Sequence, residues 1–407
     1  MSTTEFGVNY TPSIDWMYQW LRLDESAVRA DFASIAALGF DHVRVFPLWP
    51  VLQPNRTLIR LEAVEDVAQV VRWGSDAGLR VYVDILQGHL SGFDFLPAWL
   101  LNWHRGNMFA DPEARAAQAD LVRTVHERLR REPGFAGLTL GNETNQFTGT
   151  SHPEPMPATR ADASRWLTDL LDSLDTEPGT VLAHSTSDLA WYRDDHPFTP
   201  RHAVEHGTVT TVHSWIFNGT AARYGGLSQP SVRHGEYLVE LAHAFALDPH
   251  RPVWLQEIGA PSNELAPDQV EEFAERSVEA VLGCRDLHAI TWWCSHDIPR
   301  SLSDFVPLEY DLGLLTSDRM VKPIGLRLAE LIADVRSNPR PVPVRHEAVT
   351  VPVDEHGHPL SRQSLGPGGS VFEAWHTRRA DGELVHLRTR TMSPGEIPEA
   401  TSAEDAR

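Results

Sequence analysis

The feature that most constrains this chain is an alternation. From residue 6 to about residue 336, short apolar segments bounded by Gly and Pro alternate with longer segments of helical period. The spacing predicts strands over Phe6–Tyr10, His42–Leu48, Arg80–Leu86, Phe135–Glu143, Thr180–Thr186, Thr208–Trp215, Pro252–Gly259 and Ala289–Ser295. It predicts helices over Asp24–Leu38, Glu62–Ala77, Glu113–Arg131, Arg160–Leu174, Arg233–Leu247, Pro267–Leu282 and Lys322–Val335. The first helix shows the logic. Asp24 can cap it, Val28, Phe32, Ile35 and Leu38 recur on one face, and Gly39 ends it. Between the fifth and sixth strands, the Asp/His/Pro-rich stretch around 194–207 offers no helical pattern.

Strands joined through helices pair in parallel, and eight of them close into a (β/α)8 TIM barrel. The alternative is an open doubly wound sheet. That fold usually opens with a Gly-rich phosphate turn, and no GxGxxG follows any strand here. Residues 337–391 differ: strands are expected over His346–Val353, Val371–Arg379 and Glu383–Thr389, the last two joined by a hairpin at Ala380-Asp381-Gly382. The organisation expected is a catalytic barrel over 1–336, a small C-terminal β appendage over 337–391 and a disordered tail over 392–407.

Composition excludes several partners. Of 407 residues, 35 are basic and 56 acidic, a net charge of −21 that repels phosphate backbones, so no nucleic acid is expected. No apolar run approaches a membrane span. The N-terminal residues have neither a basic n-region nor an apolar h-region, and the expected location is cytoplasmic. Cys284 and Cys294 lack metal-site spacing and read as buried thiols. His356-Gly357-His358 reads as a loop.

Two strands end in a glutamate: Gly137-Leu-Thr-Leu-Gly-Asn142-Glu143 and Pro252-Val-Trp-Leu-Gln-Glu257. The C-terminal ends of barrel strands form the face where active sites are built. Two carboxyls on that rim fit glycoside hydrolysis, in which one carboxyl protonates the leaving oxygen and the other, ionised, attacks the anomeric carbon. The competing explanation for each is a strand-end salt bridge. Arg44, inside a buried strand, needs a partner, and a carboxylate at the barrel centre would be one. His213, near the end of strand six, is placed to tune Glu143 by hydrogen bonding; a satisfied core histidine is the alternative. Of 13 tryptophans, nine (Trp16, Trp20, Trp49, Trp99, Trp103, Trp191, Trp215, Trp292 and Trp293) fall in loops or strand ends of that face, where indoles can stack on sugar rings. Asp84, His89, His296 and Asp297 also sit at strand ends, so a metal-dependent barrel hydrolase stays open, although the usual strand-one HxH pair is absent.

These residues resemble those of the clan A retaining glycoside hydrolases, through Asn142-Glu143 on strand four and Glu257 on strand seven. Arg44, His213 and Trp293 make the resemblance one to glycoside hydrolase family 5, over about residues 6–336. It implies Glu143 as acid/base, Glu257 as nucleophile, Asn142 on the sugar 2-hydroxyl, Arg44 orienting Glu257, and Trp293 flooring the subsite. Phe6-Gly-Val-Asn-Tyr-Thr-Pro12, His42-Val-Arg-Val-Phe-Pro-Leu-Trp49, Leu86-Gln-Gly-His-Leu90 and Phe93-Asp-Phe-Leu-Pro97 are similar to a bacterial subfamily that includes β-mannosidases acting on mannose β-1,4-linked to N-acetylglucosamine. Trp49, Trp215 and Trp292 are counted with the sugar-binding residues. Two departures stand out. The family's strand-six His-x-Tyr is His213-Ser-Trp215 here, so the Tyr contact to the nucleophile is expected to be lost or to come from Tyr10 or Tyr18. Leu86 occupies a position often held by His, and His89 is the expected substitute.

The expectation is a retaining, exo-acting β-mannosidase on a short oligosaccharide, with no metal or cofactor and with homo-oligomerisation left open. A β-glucosidase, an endo-acting mannanase or glucanase, a transglycosylase and a non-catalytic carbohydrate-binding barrel are the alternatives.

Overall fold

The structure, a computed structural model, describes residues 4–103, 106–150, 152–175, 177 and 179–392. Eight strands form one parallel sheet: β1 Glu5–Asn9, β2 His42–Val45, β3 Arg80–Asp84, β4 Phe135–Thr139, β5 Val181–Ala183, β6 Thr210–Ser214, β7 Val253–Ile258 and β8 Leu287–Trp292. Their order, β5-β4-β3-β2-β1-β8-β7-β6, is that of a barrel with one seam. Hydrogen bonds cross the seam between β5 and β6. Thr208 N donates to Leu182 O at 2.7 Å, and Thr211 Oγ1 donates to His184 O at 2.7 Å. The (β/α)8 expectation holds.

The barrel helices are α1 Glu25–Ala37, α2 Leu61–Asp76, α3 Pro112–Leu129, α4 Arg160–Leu167, α5 Pro200–Glu205, α6 His234–Phe245, α7 Val270–Leu282 and α8 Pro323–Ser337. Their starts follow local chemistry. Asp111 caps α3 by accepting from Glu113 N and Ala114 N, with Pro112 at a position that needs no N–H. Thr159 and Asp162 form a capping box at α4. In α7, Phe273, Ala274, Val278 and Val281 turn inward at helical spacing. Each large side chain buried this way contributes about 1.5–3 kcal/mol, which outweighs propensity in holding the helix.

Side chains fill the barrel interior in layers. At the bottom, Tyr82 and Trp254 meet with ring centroids 4.5 Å apart, and His42 packs on both. His42 Nε2 and Trp254 Nε1 both bond Thr291 Oγ1, at 2.8 and 2.7 Å. This layer explains Gly7, where a Cβ would lie 1.9 Å from His42 Nε2.

Two expectations need correction, and a third falls almost wholly outside the described residues. The 194–207 stretch is not helix-free: α5 lies in it, after a single helical turn at Leu189–Tyr192. Both are too short to show a period in sequence. The segment Val371–Arg379 is not a strand. It lies within helix α9, Ser370–Ala380, and Asp381-Gly382 closes that helix instead of turning a hairpin. The flanking strands β9 Glu347–Val353 and β10 Val385–Thr391 pair in parallel, as a helical crossover requires. The expected tail, 392–407, lies outside the described residues apart from Met392.

The β9-α9-β10 unit packs on α6. The fully buried Glu236 of α6 receives Arg345 at 2.7 Å and Arg379 at 3.0 Å. Among the described residues, no helix is long and apolar enough to cross a membrane.

Candidate active site

Glu257 reaches the barrel centre through a bulge. Trp254 and Gln256 of β7 face inward, so strict alternation would turn Glu257 outward. The ladder slips there: Val212 pairs with Leu255, but the next residue, His213, pairs with Glu257. The same slip occurs against β8. The extra residue lets Gln256 and Glu257 both point inward, and a bulge re-aims side chains in this way.

Glu143 stands just beyond β4, in left-handed backbone conformation at φ 45°. A non-glycine residue there stores strain, a property that clusters at functional sites. Gly141 sets up the approach with φ 86°, where a Cβ would lie 2.2 Å from Leu86 O.

Arg44, fully buried, joins the site. Its Nη1 donates to Glu257 Oε1 at 3.0 Å and to Asn9 Oδ1 at 3.1 Å. Its Nη2 donates to Asn142 Oδ1 at 2.9 Å and contacts Asp84 Oδ2 at 2.5 Å. Asn142 Oδ1 is thereby committed to Arg44, which directs the amide NH2 as a donor toward the cleft. Burial, with the Glu257 charge, pushes Asp84 up to about 6 against the pull of Arg44.

His213 bridges the two glutamates. Its Nδ1 lies 2.7 Å from Glu143 Oε1 and 3.3 Å from Glu257 Oε2. Its Nε2 faces Gln256 Oε1 at 3.2 Å and Ser185 Oγ at 3.0 Å. Gln256 Nε2 donates to Thr139 Oγ1 at 3.1 Å, which turns Oε1 toward the imidazole. Both ring nitrogens thus meet acceptors, an environment that suits imidazolium. Burial opposes that charge, but Glu257 and Glu143 outweigh it and raise His213 above its ordinary range. Burial would raise Glu143, but the bond and charge of His213, with His89 and Gln146, hold it below the usual carboxylate range.

The contact expected to be lost, or to come from Tyr10 or Tyr18, is made by another residue. Trp215 Nε1 donates to Glu257 Oε2 at 2.9 Å, so the indole occupies the role expected of a tyrosine. Neither Tyr10 nor Tyr18 supplies it. Tyr10 donates to Asp31 at 2.8 Å, and Tyr18 packs on Trp16 and Phe95.

The site opens into a cleft of about 680 Å³ lined by Glu143, Glu257, Asn142, Trp215, Trp293 and His89, among others. His89 stands on a hairpin, His89–Leu90 with Phe93–Asp94, turned by Ser91 and Gly92 in left-handed conformation at φ 49° and 85°. Asp94 holds its Nδ1 at 2.9 Å. Trp49 and Trp292 do not line the cleft, contrary to expectation. Trp49 donates to Gln53 at 3.0 Å under Trp99, and Trp292 packs outward against Leu328 and Leu331 of α8. Of the nine rim tryptophans, the cleft uses Trp215 and Trp293; others, such as Trp16 against Phe93 and Phe305, cement the loops to one another.

Sequence reasoning missed several lining residues. Asp188 is pushed up to about 7, by burial and then by Glu143. Glu309 is pushed up to about 7, by burial first, with the Glu257 charge adding and Ser91 opposing. Gln146 donates to Glu143 Oε2. Gln363 arrives from beyond the barrel. Asp188 stands in a loop and the others on short 3-10 turns, where neither period nor motif marks them. His296 and Asp297 are engaged elsewhere, with Asp31 at 3.7 Å and Lys322 at 2.8 Å. Among the described residues, the convergent His/Cys/Asp/Glu group is Glu143, His213 and Glu257, whose nearest side-chain atoms lie within 4.8 Å of one another.

No family model matches the chain, and no curated protein does. Solved structures do. A GH5_18 protein from Streptomyces cattleya, a Glu-to-Ala variant in complex with Manβ1-4GlcNAc, is 50% identical with a TM-score of 0.92, over 95% of this chain and 94% of that one. A GH5_18 variant from Bifidobacterium longum subsp. longum, also with Manβ1-4GlcNAc, is 46% identical with a TM-score of 0.93, over 95% and 91%.

The chain belongs to glycoside hydrolase family 5, subfamily 18.

It is therefore a glycoside hydrolase. An exo-beta-1,4-mannosidase from Opitutaceae bacterium strain TAV5 shares the fold at 22% identity and a TM-score of 0.77, over 97% of this chain and 71% of that one. Where the family resemblance led a strand-six tyrosine to be expected, this chain has Trp215, whose Nε1 donates to Glu257 Oε2 at 2.9 Å.

Proposed function

We propose that this GH5 enzyme is a retaining, exo-acting β-mannosidase that hydrolyses mannosyl-β-1,4-N-acetylglucosamine-type oligosaccharides by double displacement. The observation that carries the mechanism is the separation of Glu143 and Glu257, whose nearest oxygens lie within 4.8 Å. Retaining enzymes hold their carboxyls at about 5–5.5 Å, whereas inverting enzymes need roughly 6.5–9.5 Å for an intervening water. Glu257, oriented by Arg44 and Trp215, is the nucleophile, and Glu143 is the acid/base.

The proton follows the charge. Glu257 and Glu143 together raise His213 and so favour a proton on it. As Glu257 Oε bonds the anomeric carbon, its charge disappears and the grip on the imidazolium weakens. The proton passes through Glu143 to the departing glycosidic oxygen. In the second step Glu143 takes a proton from water, whose oxygen attacks the anomeric carbon. Glu257 leaves with its charge restored, and His213 regains the proton.

Support for the sugar comes from the Manβ1-4GlcNAc complexes of the two relatives. Support for exo-action comes from the hairpin bearing His89 and from Glu309, which line the cleft beside the two glutamates. Asn142 holding the 2-hydroxyl and Trp293 flooring the subsite are part of the same proposal. A cytoplasmic location fits the unpaired, buried Cys284 and Cys294. The test is hydrolysis of Manβ1-4GlcNAc beside aryl β-mannoside, β-glucoside, β-galactoside and β-N-acetylglucosaminide, with the anomer of the first product read by NMR. Cleavage of the mannosides with β-anomer released supports the proposal. Cleavage of glucosides alone overturns the sugar, and an α-anomer overturns the mechanism.

A further inference from the structure

Between β9 and α9 the chain turns back over the barrel mouth, and Gln363, Gly366 and Pro367 reach the cleft. Arg362, at the base of this turn, is 2% exposed. Its guanidinium donates to four main-chain carbonyls: Ala190 at 3.1 Å, Phe198 at 2.7 Å, and Asp194 and His196 at 2.6 Å each. Its own main-chain N–H donates to Asp194 Oδ1 at 2.5 Å. A buried guanidinium is tolerated only when its N–H groups are met, and here one loop meets them. That loop carries Tyr192 and Arg193, which line the same cleft. Gly366 lies flat on Tyr192, where a Cβ would stand 3.1 Å from the ring. Tyr192 is held in turn by His234 at 3.0 Å.

The wall so formed lies on the side of Glu143. Its loop follows β5, the neighbour of β4, and is tied to the Glu143 turn: Glu143 N donates to Ser185 Oγ at 3.3 Å, and Ser187 N donates to Asn145 Oδ1 at 2.9 Å. The leaving group departs from the side of the acid.

We propose that Arg362 is a positioning residue that fastens the C-terminal unit to the 190–198 loop, and that Gln363 with Arg193 reads the hydroxyl pattern of a pyranose leaving group. The inference rests on Glu143 as the acid/base. It gives the segment beyond the barrel a share in specificity: Gln363, Gly366 and Pro367 of the cleft wall come from outside the eight-fold repeat. A carboxamide offers both donor and acceptor to sugar hydroxyls, and Tyr192 and Pro367 offer apolar faces beside it.

The experiment compares Gln363→Ala, Arg362→Met and Arg362→Lys in the full chain. It reads kcat/KM on Manβ1-4GlcNAc, on 4-nitrophenyl β-mannoside, and inhibition by free GlcNAc. The ratio of disaccharide to aryl kcat/KM should fall about tenfold in Gln363→Ala, the loss of roughly one sugar hydrogen bond. KM for the disaccharide and the inhibition constant for GlcNAc should rise together. Arg362→Met should lower the same ratio, and Arg362→Lys should restore part of it. A purely structural role would lower both substrates in parallel. That outcome, or an unchanged ratio in Gln363→Ala, overturns the inference. If the Arg362 variants do not fold, Gln363→Ala alone decides. If the unaltered enzyme cleaves glucosides and not mannosides, the sugar assignment fails, and the same ratio on cellobiose and aryl glucoside decides the inference.

Discussion

Trp215 Nε1 stands 2.9 Å from Glu257 Oε2, while Arg44 Nη1 holds the other oxygen of the same carboxylate at 3.0 Å. Each oxygen of the candidate nucleophile therefore has its own donor. An indole N–H cannot ionise, so this donor stays a donor at every working pH. Trp215 also packs on Phe217 at 4.9 Å and meets Trp293 edge-on at 6.5 Å, so one side chain both holds the Glu257 carboxylate and shapes the cleft.

Trp215→Phe keeps the aromatic surface and removes the N–H. A hydrogen bond to a charged group contributes about 1.5–3 kcal/mol, so kcat/KM should fall roughly 10- to 100-fold while thermal stability changes little. Steady-state kinetics beside a melting curve checks this. A variant with unaltered kcat/KM would remove Trp215 from the account.

Glu257→Ala should lose on the order of 10⁴-fold or more in kcat on every glycoside. Glu143→Ala should lose much less on substrates with an activated aryl leaving group than on the disaccharide, because only the latter needs the proton. Azide should then rescue the aryl reaction and yield a β-glycosyl azide, identifiable by NMR. An α-azide, or equal losses on both substrates, would sink the assignment of roles.

His213→Gln removes the group that holds the proton. In the unaltered enzyme, burial disfavours the imidazolium, but the two glutamates raise His213 above its ordinary value of about 6.5. The proton needed for the first step is thus present below that raised value and is lost as pH rises through it. Without His213 the alkaline limb of kcat/KM should move to lower pH, and kcat should fall about 10²-fold. A pH–rate profile whose alkaline limb stays in place would contradict the proton route.

Acid should destabilise the fold well before it protonates the salt-bridged carboxylates. Burial holds His196, His202, His234, His243 and His288 down at about 4, His184 at about 3 and His376 at about 2. Below about 6.5 the unfolded chain binds protons that the folded chain refuses, so stability falls with pH until the folded values are reached. Asp84, Asp188 and Glu309, with Asp66, Glu240 and Asp297, act in the opposite sense, since their raised values make the fold take up protons first, but the histidines held down, His126, His296, His358 and His386 included, outnumber them. Tm should therefore decline steadily from pH 7 to pH 4. Glu5, held down at about 2 by His42 and Arg80 despite its burial, keeps its charge across that range. A Tm that rises toward pH 4 would contradict the sign.

Much of this protein is written in local patterns. The alternation of apolar strands and periodic helices dictates a parallel barrel, because only helical crossovers join parallel neighbours. The glutamates at the ends of β4 and β7, the charged Arg44 inside β2 and His213 on β6 stand out because each conflicts with the apolar run around it. Such conflicts mark sites where stability is given up for chemistry.

What the tertiary structure decided depends on neighbours that no window of sequence contains. The bulge at Gln256-Glu257 comes from the register of β6 and β8 against β7. Whether an indole at a strand end faces sugar or core depends on which side of the barrel wall it leaves, which separates Trp215 and Trp293 from Trp49 and Trp292. Val371–Arg379 was ambiguous because a short apolar run fits strand and helix alike; packing settled it, burying Val371, Phe372, Trp375 and His376 on one helical face. Arg362 and Gln363 show the limit most plainly. The carbonyls that Arg362 meets lie 164–172 residues earlier in the chain, and only closure of the barrel brings that loop beneath it. Periodicity reports on an element and its own face; contact between distant loops is a property of the closed fold.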